Sequence, residues 1–213
     1  MGSSGRPRQI QQQIDSIANS KASLTMYSHS FAYPGPKNHA PPLLLCSDLV
    51  VAGHVSEEPA SWRTCIHNSA LILTTARKQR WRIVHVYRQD RAPNPIASLR
   101  PEPDEPVFQC RGPSALSSSA LRDFLVMSQT EELILIGRSL VPYCLSTAVA
   151  AADLGVAVTL VADAVSHGAV ESHESSLSIS HAAMRLIPQF ATMTSTAKLL
   201  QLQSSLSLFV SGT

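Results

Sequence analysis

The chain has 213 residues, long enough to bury a full core as one domain without help from metals or disulfides. Its 17 Lys+Arg against 15 Asp+Glu give a formal charge of +2, with no basic cluster interleaved with aromatics, which sets nucleic acid aside as a partner; only 15% of residues are charged against 44% hydrophobic, a charge-poor surface that suits a homo-oligomer, dimer or tetramer. Four cysteines without C-x-x-C spacing exclude a zinc knuckle or a disulfide scaffold, and no apolar run reaches the roughly 18 residues of a membrane span, so a cytoplasmic protein with no membrane partner is expected.

Residues 1–40 read as a polar N-terminal arm, with Gln11 to Gln13 suited to a short helix and Pro34, Pro36, Pro41 and Pro42 forbidding regular structure. A single domain over 41–203 follows, then a C-terminal tail over 204–213. Leu43-Leu44-Leu45-Cys46-Ser47-Asp48 is a continuous apolar run closed by a carboxylate, which predicts a strand buried on both faces with Asp48 at its carboxyl end. Ile66, Ala70, Leu71, Leu73 and Ala76 recur at helical spacing between Ser61 and Gln79, and Ile83-Val84-His85-Val86-Tyr87 is β-branched and strand-like. Residues 89–106 are rich in proline and charge and read as a long surface excursion; Val107 and Phe108 re-enter briefly.

Ser114 to Met127 alternates at helical period, and Glu131 to Gly137 is a second buried-strand candidate. Tyr143 to Leu154 is alanine-rich and helical, with Gly155 as its stop. A strand over Ala157 to Val161, a helix near His173 to Leu186 capped by Ser172, a weak strand at Phe190 to Met193 and a last helix from Thr196 complete the pass. Repeated strand–helix alternation predicts a three-layer α/β/α fold with a mainly parallel, Rossmann-like sheet. Ligands in such sheets bind beyond the carboxyl ends of strands, where the winding reverses, and Asp48, the segment after Phe108 and the segment after Gly137 all fall there.

The order of these pieces resembles the isochorismatase-like cysteine hydrolases, from about Leu43 to Leu200. Leu44-Leu45-Cys46-Ser47-Asp48 is similar to the family's strand ending in the catalytic Asp; Ser114-Ala115-Leu116 resembles its Ser-Ala-Phe signature; Ile136-Gly137 through Thr147-Ala148 to Gly155 resembles its strand, nucleophile turn and helix. Val161-Ala162-Asp163-Ala164 and Ser172 to Leu177 are similar to its downstream segments. There are departures. Four residues before Ser114, the place of the family's Lys, stands Cys110, followed by Arg111. In ungapped register the nucleophile's place is taken by Tyr143, with Cys144 one residue later; either the turn is rearranged so that Cys144 fills that place, or the nucleophile is lost.

The resemblance implies a hydrolase acting on a carbon–nitrogen, amide-like bond of a small molecule through a thioester on Cys144. Asp48 would take the thiol proton, and Arg111 would lend charge in place of the Lys, although an arginine does not shuttle protons. Tyr143, Cys110 and Leu140 would line the substrate pocket, and backbone amides of the turn from Leu140 to Cys144, Pro142 excepted, would form an oxyanion hole. A thiol at a helix start would be activated by the macrodipole. Two alternatives stand beside this reading: a catalytically degenerate member that binds a small molecule or a protein, and a vinyl ether hydrolase in which Asp48 acts as acid. His54 and His85 form no H-x-x-x-H pair, and neither a metal nor a cofactor is expected.

Overall fold

The computed structural model describes residues 41–51, 60–90, 93–166 and 174–202. The arm over 1–40, the tail over 204–213, His54, and Ser172 with His173 lie outside the described residues. Six strands form one sheet: β1 (Leu43–Ser47), β2 (Arg82–Arg88), β3 (Val107–Cys110), β4 (Glu132–Gly137), β5 (Ala157–Val165) and β6 (Thr192–Thr194). Their order is β3-β2-β1-β4-β5-β6, and every pairing is parallel. The chain therefore winds outward from β1 to one edge, then crosses back to β4 and winds to the other. The reversal lies between β1 and β4.

Both faces of the sheet are covered, which gives the three layers expected. Helix α1 (Ala60–Lys78) supplies Trp62, Cys65, Ile72, Leu73 and Ala76 to one core, against Leu44, Cys46, Ile83, Ile134 and Ile136. Helices α2 (Ser119–Met127), α3 (Leu145–Asp153) and α4 (Glu174–Leu186) supply Leu121, Leu125, Ala148, Ala151 and Ala183 to the other, against Leu43, Leu45, Val84, Val86, Leu133 and Leu135. Because β1 is clothed on both sides, alternate leucines serve opposite cores, and Leu43, Leu44 and Leu45 are all fully buried. Each contributes roughly 1.5–3 kcal/mol.

Helices α1, α2 and α3 stop in the same way. The second residue beyond each helix is left-handed, and the next amide reaches back to a carbonyl of the last turn: Trp81 N–H to Ala76 O (2.9 Å), Thr130 N–H to Leu125 O (3.0 Å) and Val156 N–H to Ala151 O (2.9 Å). The left-handed residue is Gly155 only in the third; Arg80 (φ 56°) and Gln129 (φ 47°) hold it in the others. The stretch from 89 to 106 is not purely a surface excursion. A 3₁₀ turn at Ala97–Leu99 buries Leu99 completely, and Val50 bridges Pro95, so the segment closes the α1-side core. Helix α2 is likewise shorter than expected, since Ala115–Ser117 forms a separate 3₁₀ turn before Ser118 caps Leu121 N–H.

Candidate active site

Asp48 leaves β1 in a left-handed conformation, φ 52°, with its amide donating to Val86 O at 2.8 Å, and the residue as a whole is 4% exposed. That geometry lifts the carboxylate over the end of β2, where the Arg88 amide approaches its Oδ1 at 3.5 Å. Gly137 ends β4 beside it, and Arg138 N–H donates to Ser47 O at 2.8 Å, locking the end of β4 onto the end of β1. The segment after β3 is tied to the start of α3: Ala115 N–H donates to Thr147 Oγ1 (2.9 Å), and Ser146 Oγ donates to Pro113 O (2.9 Å). The end of β1 is thus tied to the end of β4, and the segment after β3 to the start of α3, all beyond the carboxyl ends of the strands.

The turn from Leu140 to Cys144 decides what faces that cleft. Arg88 lies over the Tyr143 ring, its guanidinium carbon 4.4 Å from the ring centre. The same guanidinium donates to Asp90 (2.9 Å), and that hydrogen bond, more than the charges of Tyr143 and Asp48, raises its pKa and keeps it cationic. Cys110 pairs with Arg88 in register across β2 and β3. Tyr143 is half-buried, whereas Cys144, the next residue, lies in the core, 0% exposed, with its Sγ 3.9 Å from Arg138 O. Leu140, expected to line the pocket, is also a core residue, 1% exposed. The oxyanion-hole amides expected from this turn are partly spent, because Leu140 N–H donates to Ser166 O (2.7 Å) and Cys144 N–H to Ser139 O (3.1 Å).

None of the four thiols is activated. Burial is the first cause in every case: it pushes Cys46, Cys110 and Cys144 up, and lifts Cys65 to about 12. For Cys144 the neighbouring Cys65 and Asp48 push further the same way; for Cys110, Arg88 partly opposes burial. The helix start that was expected to stabilise a Cys144 thiolate is outweighed by desolvation. Arg111 is exposed and donates to the Gln89 side chain. Arg88, which the sequence reading passed over, approaches Asp48 with its amide, and the charges of the two side chains act on each other. Its signal was present, since it stands at the carboxyl end of the second predicted strand, the location that drew attention to Asp48. Tyr87, on the next position inward, keeps a buried hydroxyl without a hydrogen-bond partner. Burial, with the charges of Cys46 and Asp48 behind it, holds that hydroxyl protonated as a donor.

The isochorismatase domain model matches residues 43–198. This chain belongs to the isochorismatase family. No curated protein matches the chain. Among solved structures, an isochorismatase from Pseudomonas putida is 23% identical with a TM-score of 0.65, over 76% of this chain and 93% of its own. N-carbamoylsarcosine amidase from Thermoplasma acidophilum is 17% identical with a TM-score of 0.60, over 73% and 96%. A ribonuclease from Caenorhabditis elegans is 20% identical with a TM-score of 0.60, over 75% and 79%. Neighbours with such different names share a fold, and a fold by itself does not choose among their chemistries. Among the described residues, no group of His, Cys, Asp and Glu has the geometry of a metal centre, and no helix is long and apolar enough to cross a membrane.

Proposed function

We propose that this isochorismatase-family chain has lost the thiol step and uses the cleft around Asp48, Arg88 and Tyr143 to bind a small amide-like molecule. The observation that carries the reading is the placement of two adjacent residues: Tyr143 stands under the Arg88 guanidinium at 4.4 Å, while Cys144 is 0% exposed. An amide fits the remaining groups, with its N–H facing the Asp48 carboxylate and its carbonyl facing the Arg88 cation. Cys110, expected to line the pocket, is packed in the core at 7% exposure, and Arg111 with Gln89 is exposed beyond the strand ends.

Hydrolysis of a carbon–nitrogen bond through a Cys144 thioester draws support from the family and from the amidase among its structural neighbours. It requires a thiolate that reaches the substrate, and a buried, proton-holding Sγ opposes it. Hydrolysis with Asp48 as acid needs no thiol. It is favoured by one observation: the left-handed turn at Asp48, φ 52°, sets its carboxylate at the strand end, within reach of the Arg88 amide.

One set of measurements separates the three. N-carbamoylsarcosine and nicotinamide serve as calorimetric probes, with ammonia release followed in parallel. The expected result is binding that weakens at least tenfold in Asp48→Asn and Arg88→Ala, no ammonia, and no iodoacetamide labelling of Cys144 near neutral pH until the protein is unfolded. Ammonia release that disappears in Cys144→Ala would overturn the reading in favour of the thioester. Vinyl ether turnover lost in Asp48→Ala and kept in Cys144→Ala would establish the acid mechanism.

A further inference from the structure

At the other end of β2, roughly 20 Å from Arg88 at the usual rise per residue, lies a groove of about 580 Å³ that the cleft does not use. Trp81 and Phe124 give it flat apolar walls; Arg77, Arg80 and Arg82 bring three guanidinium groups, and Glu102, Asp104 and Glu105 three carboxylates. These charges are not equally committed. Arg77 grips Glu105 with two bonds (2.8 and 2.9 Å), lies 3.2 Å from Glu102 and donates to Arg100 O, so one cation and two acids are spent on each other. Asp104 and Arg80 both stand at the exposed mouth of the groove, where water and salt screen their charges until a ligand covers them.

Two guanidinium groups are left. Arg82 gives Nη1 to Ser128 O (2.8 Å) and approaches Pro41 O with Nη2 (3.5 Å), but its buried Nε–H has no acceptor. A buried donor without an acceptor is costly, so Arg82 gains if its side chain turns its Nε–H toward an anion in the groove it lines. Arg80 is held in the left-handed position just past α1, where glycine would fit at no steric cost. The chain places a long cation there instead, beside Arg82 and Trp81. The volume lies within the range of small-molecule sites, and guanidinium groups beside aromatic walls bind planar anions well. From these groups we infer that the groove is a second ligand site, for a small molecule carrying a carboxylate or phosphate on a flat apolar body.

The test uses the full chain with phenyl phosphate and benzoate as probes, each followed by tryptophan fluorescence and calorimetry. Saturable binding of at least one probe is expected, with the fluorescence change surviving Trp62→Phe, because Trp81 is the tryptophan in the groove. Binding by phenyl phosphate alone, or by benzoate alone, identifies the headgroup the site takes. Arg80→Gly relieves the backbone, so its Tm should equal or exceed that of the parent while binding weakens tenfold or more. Gln129→Gly gives the same kind of relief at the end of α2 and should leave binding intact. Asp48→Asn, which alters only the cleft, should also leave it intact. The inference is overturned if neither probe saturates, if Arg80→Gly binds as the parent does, or if Asp48→Asn abolishes binding.

Discussion

Gly137 shows how a single residue fixes the cleft. Its φ is 151°, and a Cβ added there would lie 2.2 Å from Ser47 O, a backbone atom that has nowhere to go. Gly137→Ala should therefore cost about 4 kcal/mol or more, read as a lowered urea midpoint, because the clash and the backbone conformation both oppose the methyl. The sequence marks Gly137 as a strand end, but the close approach to β1 is a property of pairing that no local pattern carries. The same limit applies at Tyr143 and Cys144. Sequence register left two arrangements of the turn open, and what separates them is which side chain the core can accept. A thiol packs among Leu140, Ala148 and Val165 without an unsatisfied group, whereas a phenol needs its hydroxyl kept toward solvent or a partner. Cys144→Ala should accordingly behave as a core truncation, costing about 1 kcal/mol of unfolding free energy and leaving ligand binding unchanged.

Among the elements, β1, β2 and β4 were legible because burial on both faces demands unbroken apolar runs. The edge strands β3 and β6 were poorly legible, since a strand with one free side needs no such run. β3 extends to Cys110, beyond the two residues the pattern marked, and β6 is displaced toward Thr194. The proline-rich stretch after β2 was the largest departure. Proline and charge forecast a surface loop, but they do not disclose that Glu105 turns inward. Its carboxylate meets His85 Nε2 at 2.8 Å and Arg77 at 2.8 and 2.9 Å, clamping β2, α1 and the loop together. Burial alone would raise the Glu105 pKa, but the Arg77 hydrogen bonds, the Glu102 amide and His85 outweigh it and bring the carboxyl down to about 2. That value lies below the ordinary 4.5, so on acidification the unfolded chain takes up the proton first. The Glu105 contribution is complete above pH 4.5 and is lost between 4.5 and about 2. His85 works in the same direction at higher pH, because burial holds it below 6.5 despite Glu105, and stability begins to fall as the pH drops through that value. Urea midpoints measured across the acid range should show both declines in the parent. Glu105→Gln should lack the lower one and be about 3 kcal/mol less stable near neutrality.

For the whole molecule, alternation of strand and helix was enough to predict a parallel, doubly covered sheet, whose winding reverses between β1 and β4. Composition also pointed to self-association. Val126 and Met127 at the end of α2 are 71% and 84% exposed, and Leu154, Ile179 and Leu186 also reach solvent, so light scattering at micromolar concentration should give a mass of two or four chains. Charge substitutions at Val126 and Met127 that leave that mass unchanged would remove this face from the contact. The cleft carries a last consequence. Its frame is held by Arg138 N–H on Ser47 O and Ala115 N–H on Thr147 Oγ1, with Asp48 at the strand end and a half-buried side chain at position 143. The sequence resemblance sets Tyr143 and Cys110 at the places of the family's thiol and ammonium, and exchanging both side chains tests that register. In Tyr143→Cys combined with Cys110→Lys, the new thiol should react with iodoacetamide near neutral pH faster than any cysteine of the parent. The molecule would then serve as a blank socket in which family chemistry is reinstalled one group at a time.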